Sequence, residues 1–270
     1  MNYQSQLLWT WVLAIFAVLL IQFMAQSYFG MNRQGPQPLS LTEETGPDGD
    51  PEKQPGLFLP PLDKWVAKQQ IDRLLSSNEG LSGVAIYNGP GIRQFTASAS
   101  AEDSYHYLVN RFLVGFEPYR LDQIWEPWYA ISQKKTYELD EITYSGRPEV
   151  WQTSRQAYYR TRGDCEDHAL ILADWLIEMG YDARVVLGKF EEEGHAWVVL
   201  FKDGKEYLLE ATQKGPARNF RRYPLAFYQT AYRPEFMFNR TSFWANEGTL
   251  FTSNYDSANW VHKSELAASY

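Results

Sequence analysis

The chain has 270 residues, a net charge of −8 and one cysteine, Cys165, with 44% hydrophobic and 16% aromatic side chains. That is enough apolar material for one globular domain with appendages. It excludes an intrachain disulfide framework and a cysteine-clustered zinc site. The acidic balance argues against nucleic acid as a partner, because no global positive field steers phosphates in.

The chain opens on an apolar run, Leu7 to Phe23 ("LLWTWVLAIFAVLLIQF"), and carries no charged side chain before Arg33. With Met24 and Ala25 the run reaches the roughly 20 residues that span a bilayer. It predicts an uncleaved single-pass anchor over residues 1–30, with a processed signal peptide as the alternative. Arg33 slightly favours a cytoplasmic flank, and charge alone leaves the orientation open. Residues 31–62 are rich in Pro, Gly and acids and read as a flexible linker. A globular domain is expected over residues 63–270.

Within that domain, "LDKWVAKQQIDRLLSS" places Leu62, Trp65, Val66, Ile71 and Leu74 near helical spacing and predicts a short amphipathic helix. Residues 80–100 read as strand and turn, with "NGPG" as the break. "SYHYLVNRFLVGF" and "QIWEPWYAISQ" read as helical or mixed. The clearest element begins at Arg162. Asp164 suits an N-cap, Glu166 and Asp167 suit a first turn, and Gly180 suits the stop. Cys165, Ala169, Leu172, Ala173, Leu176 and Met179 follow helical spacing along one face. "ARVVLG" and "HAWVVLF" then read as strands, the second joined by "KDGK" to "EYLLEAT". An Asp-Gly pair between alternating apolar runs is a hairpin signal.

A cysteine in the first turn of a helix meets free N–H groups and the positive end of the macrodipole, both of which favour a thiolate. The flanking acids oppose this only if they point at the sulfur. A thiolate nucleophile needs a base, and the base needs an orienting partner. With Asp203-Gly204 as the turn, Lys202 pairs with Lys205 and His195 falls opposite Thr212. Glu210 is then the diagonal neighbour of His195 on one face, about 7–8 Å away between backbones. Cys165, His195 and Glu210 are thus candidate nucleophile, base and orienting carboxylate, provided that the helix start abuts this face. Against that reading, a lone cysteine on an apolar helix face is commonly a small buried hydrophobe. A histidine at a strand start is commonly structural, and Glu210 also fits a solvent-facing position. For the oxyanion of an acyl transfer, the backbone N–H of Cys165 is the default donor, with Trp151 or Gln152 as candidates for a second.

"GDCEDHALILADWLIEMGYDARVVLG", "GHAWVVL" and "YLLEAT", in that order, resemble the core of the transglutaminase-like superfamily. The "GDCED" form resembles its bacterial cysteine proteinases. The match covers about residues 150–213. The resemblance implies an α+β, papain-like fold in which a helix opening on the cysteine packs on an antiparallel sheet. It implies Cys165 as nucleophile, His195 as base and Glu210 as third member, where the family usually has Asp. It implies no required cofactor, and offers Asp164, Glu166 and Asp167 as a candidate calcium site of hard oxygen donors. The same acids also read as capping and dipole residues. The expectation is a membrane-anchored, extracytoplasmic (periplasmic) thiol hydrolase of protein or peptide amide bonds, working through a thioester acyl-enzyme. The alternatives are a catalytically inactive binding or scaffolding domain of the same fold and a protein-crosslinking transglutaminase. Expected partners are a protein or peptide substrate and, through residues 1–30, a membrane, with no nucleic acid.

Overall fold

The computed structural model describes residues 55–267; the expected anchor over residues 1–30 and most of the expected linker lie outside them. Gly56–Leu59 (β1) and Lys64–Ala67 (β2) form an antiparallel pair, and Lys68–Ser76 (α1) follows. This corrects two expectations. Residues 56–62 belong to the sheet and its turn rather than to a linker, and the helix starts at Lys68 rather than near Leu62. Alternation decides both: Leu57, Leu59 and Val66 are fully buried, a period of two that a strand satisfies and a helix does not. Only from Lys68 do the buried positions, Ile71 and Leu74, fall at helical spacing.

Val84–Gly89 (β3), Ile92–Ser100 (β4) and His106–Leu108 (β5) make a three-stranded antiparallel sheet, with the break at Gly89–Gly91 where it was expected. "SYHYLVNRFLVGF" supplies β5 and a 3-10 turn over Val109–Phe112, and "QIWEPWYAISQ" supplies the helix Trp125–Lys134 (α2). Thr136–Tyr137 (β6), Asp140–Thr143 (α3), Ser154–Tyr159 (α4) and Arg162–Gly163 (β7) lead into the long helix Cys165–Glu178 (α5). Asp182–Phe190 (β8), Glu193–Lys202 (β9), Lys205–Leu209 (β10), Ala217–Phe220 (α6), Tyr232–Phe238 (β11), Ser242–Asn246 (β12) and Trp260–Leu266 (β13) complete the chain.

The main sheet has eight strands in the order β10-β9-β8-β11-β12-β13-β1-β2, and every neighbouring pair is antiparallel. The architecture is mixed helix and sheet around a large antiparallel sheet. Helix α5 lies against β8 and β9, with α2 and α4 on its other side, so every residue from Cys165 to Leu176 is buried. Leu170, Ile171, Leu172 and Leu176, each fully buried, contribute about 1.5–3 kcal/mol apiece by leaving water. The three-stranded sheet covers the same face over β12 and β13. The opposite face carries a second apolar cluster with Val186, Trp197, Val199, Leu208 and Met237 at its centre.

Candidate active site

Cys165 is the first residue of α5, after Asp164 in extended backbone. Asp164 makes no side-chain cap, because its carboxyl turns instead into a cluster of acids. The hairpin forms in the expected register: Lys205 pairs with Lys202 and the ladder runs to Leu209 opposite Val198. There it stops, so Thr212 never pairs with His195 and the outer edge of β9 is open beyond Val198. Side chains alternate along β9. Ala196, Val198 and Leu200 belong to the core under α5, while Trp197 and Val199 belong to the far face. His195 stacks on Trp197 on that far face, with ring centroids 6.2 Å apart. Cys165 shares the core cluster of Ala196 and Val198 on the α5 face, whereas the imidazole lies on the far face with Trp197; the Ala196 N–H bears on the sulfur.

The imidazole is held firmly. His195 Nε2 donates to Glu210 Oε2 at 2.8 Å, and the side chains of the pair are 15% and 22% exposed, so they face an accessible surface. Glu210 Oε2 also accepts from the Tyr232 hydroxyl at 2.8 Å. Its other oxygen accepts from Thr212 N at 3.0 Å and Thr212 Oγ1 at 2.6 Å, and Trp128 Nε1 holds the Glu210 carbonyl at 2.7 Å. Burial works to raise the Glu210 carboxyl, but the hydrogen bonds from His195 and Thr212 and the attraction of the imidazole outweigh it and hold it at about 2. With Nε2 committed to Glu210, Nδ1 is the edge of the ring left for a second partner. Two donors of this network, Trp128 and Tyr232, carry no sequence signal, because they reach Glu210 from α2 and β11.

The thiol rests differently. Its hydrogen bond goes to Glu166 Oε2 at 3.7 Å, and among the described residues none joins it to the imidazole. One flanking acid therefore does point at the sulfur, against the expectation that neighbouring helix positions look apart. Burial pushes the Cys165 thiol well up, and the carboxyls of Asp164 and Glu149 push it further.

Glu166 is part of a larger group. Asp140, Asp164, Glu166 and Asp167 are 1%, 4%, 1% and 0% exposed, and one oxygen from each lies within 4.8 Å of the others. Asp140 comes from α3, a member that local sequence around the cysteine does not reveal. Burial, then the neighbouring carboxyls, raise Asp140 to about 10. Burial likewise raises Asp167 to about 8, although Lys135 pulls it down. The Lys135 ammonium, 3.9 Å from Asp167 Oδ2, is the one cation paired with this cluster among the described residues. Gly163 makes the approach feasible: a Cβ there would meet Asp167 Oδ2 at 2.1 Å and Lys135 Nζ at 2.7 Å.

An oxygen-only donor set of this kind suits a hard cation. Asp140 Oδ1, Asp164 Oδ1, Glu166 Oε1 and Gln152 Oε1 are buried without a hydrogen-bond partner among the described residues, a costly arrangement that a divalent cation would relieve. The residues present fit calcium. The side-chain donors of the two oxyanion candidates are engaged: Trp151 Nε1 donates to Glu149 Oε1, outside the four acids, and Gln152 Nε2 to Asp167 Oδ2, both at 2.6 Å.

Residues 149–261 match a family model described as the CEP76 peptidase-like domain. The chain is also similar to the centrosomal protein of 76 kDa from Mus musculus, 32% identical over 142 residues, and from Xenopus laevis, 42% identical over 55 residues. Those alignments take in 45% and 20% of this chain, and 21% and 8% of the relatives, so the chain spans about a fifth or less of their length. Among solved structures, Legionella pneumophila LapG aligns with a TM-score of 0.38 and 16% identity, over 52% of this chain and 75% of that one. The expected extracytoplasmic, membrane-anchored placement is overturned. The finding that overturns it is that the sequence relatives are centrosomal proteins; no helix among the described residues is long and apolar enough to cross a membrane, and residues 1–30 lie outside them.

Proposed function

We propose that the chain is a thiol hydrolase with a transglutaminase-like core, acting on protein or peptide amide bonds through Cys165, His195 and Glu210. The observation that carries this reading is the His195–Glu210 pair at 2.8 Å, fixed at the open edge of the strand whose Ala196 N–H reaches the Cys165 sulfur. The description of the matching domain as peptidase-like supports it. In this mechanism His195 Nδ1 takes the thiol proton, and the sulfur attacks the amide carbonyl to give a tetrahedral adduct. The imidazolium, steadied by Glu210, passes the proton to the leaving amine, and a thioester remains. Water activated by the same imidazole then releases the acid and the free thiol.

Asp140, Asp164, Glu166 and Asp167 would hold a calcium ion, which supplies positive charge beside the thiol. With those carboxyls engaged, Glu166 would no longer compete for the S–H proton, and the electrostatic pressure against a thiolate would be relieved.

A second reading is a binding domain of the same fold without turnover. It is favoured by the resting thiol, buried and bonded to Glu166 rather than to His195. The pH dependence of iodoacetamide alkylation separates the two readings, measured on the full chain with His195→Ala and Glu210→Ala variants, with and without calcium. Fast labelling at neutral pH that collapses in His195→Ala supports the hydrolase. Labelling at the rate of an unactivated thiol in every variant, calcium present, refutes it and leaves the binding domain.

A further inference from the structure

Tyr232 opens β11 directly across from Phe190 at the end of β8. Its ring packs 4.8 Å from Phe190 and 5.1 Å from Trp197, and lies 6.2 Å from His195. Ring packing alone would need no hydroxyl, yet the hydroxyl donates to Glu210 Oε2 at 2.8 Å, the same oxygen that accepts from His195 Nε2. Thr212 takes the other oxygen with its N–H and hydroxyl. The four lone-pair positions of the carboxylate are thus filled by four donors.

A glutamate has one more rotatable bond than an aspartate, so the direction of its carboxylate is less fixed by the backbone. Thr212 grips only Oε1, and a carboxylate held there alone pivots about that contact. The Tyr232 hydroxyl removes the pivot by fixing Oε2, the oxygen that faces the imidazole. We propose that Tyr232 is a positioning residue for this site. It holds the Glu210 oxygen that keeps His195 in its Nε2–H tautomer and leaves Nδ1 free for the thiol. This rests on the triad reading given above. It also explains how a glutamate serves where an aspartate would be stiffer: a partner on a distant strand supplies the missing restraint.

The test uses the full chain with histidine rings labelled in 15N, the His195 signals being those lost in His195→Gln. The wild-type ring at alkaline pH is expected as a single Nε2–H tautomer whose proton exchanges slowly with water. Tyr232→Phe keeps the ring and removes only the hydroxyl. It is expected to mix the tautomers or speed Nε2–H exchange by about tenfold, and to slow Cys165 alkylation at neutral pH by about tenfold, the lower end for loss of a partner behind a functional side chain. Phe190→Leu thins the same ring stack but keeps the hydroxyl, and the tautomer should stay as in the wild type. A Tyr232→Phe ring with wild-type tautomer and exchange overturns the proposal. So does a Phe190→Leu ring that reproduces the Tyr232→Phe signature, because packing would then be what sets the imidazole. Sluggish alkylation of the wild type tells instead against the hydrolase reading, and the ring signature still decides the role of Tyr232.

Discussion

Replacing Asp140 by Asn tests the acid cluster most directly. Asp140 Oδ2 accepts the Val150 N–H at 2.5 Å, while Oδ1 is buried without a partner among the described residues. An asparagine keeps an acceptor for Val150 and removes the titrating group. With the carboxyl raised to about 10 from an ordinary value of about 3.9, the folded chain holds a proton that the unfolded chain has already released. Stability from this group is therefore complete below about pH 4 and decays as pH rises toward 10. Each held proton is worth about 1.4 kcal/mol per pH unit across that window, or about 4 kcal/mol from pH 5 to pH 8. That is a large share of a typical folding free energy of about 5–15 kcal/mol. Urea unfolding at pH 5, 6, 7 and 8 with a chelator present should show the wild type weakening with pH. Asp140→Asn should fall less steeply, by about 1.4 kcal/mol per pH unit. A wild-type stability that is flat over this range, or a variant with the wild-type slope, would refute the account of the cluster as carboxyls kept protonated by burial.

Calcium should raise the wild-type melting temperature at neutral pH, with a stabilisation of about 2.7 kcal/mol at a hundredfold excess over the dissociation constant; calorimetry should find the gain absent in Asp140→Asn. Glu210 runs the other way in pH. Its carboxyl is held at about 2, so the stabilisation is present above the unfolded value near 4.3 and lost as pH falls toward 2, about 3 kcal/mol in all. Unfolding curves at pH 6 and pH 3 should therefore converge in Glu210→Gln relative to the wild type. Gly163→Ala drives a methyl into Asp167 and Lys135 and should cost about 1–3 kcal/mol by overpacking, with a weakened calcium response in the same melts. An undiminished response would mean that the backbone shifts and spares the cluster.

What the sequence makes legible follows the range of the interactions. The Asp203-Gly204 turn sets the β9–β10 register through purely local chemistry, and the count from it places Glu210 beside His195, as the 2.8 Å contact has it. The α5 boundaries are local too, with Cys165 first and Gly180 just past the end. The acids around Cys165 mislead for the same reason. Read locally they are caps and dipole partners, whereas their neighbours are Asp140, Lys135 and Gln152, brought in by tertiary packing. Tyr232 is invisible as a partner of Glu210 because a hydroxyl 22 residues away, on a strand reached only through β8, has no spacing rule. The indole N–H of Trp151, by contrast, is taken by Glu149 only two residues away, a contact for which no spacing rule exists either. The early strands are faint in the sequence because two prolines and a short alternation, Leu57 to Val66, are too brief to outweigh the helical pattern after Lys68.

The place of β1 in the sheet has a kinetic consequence. Leu57 pairs with Leu266 and Phe58 with Glu265, near the two ends of the described chain. The β8–β10 meander and α5 are assembled from neighbours in sequence and can form early, whereas β1 and β2 wait for β13, a closure of high contact order. During synthesis the half of the molecule that carries Cys165, His195 and Glu210 can therefore be in place while β1 and β2 are still an unsatisfied edge. Only when Trp260–Leu266 arrives is the sheet joined from end to end, and β13 becomes the fastener for β1.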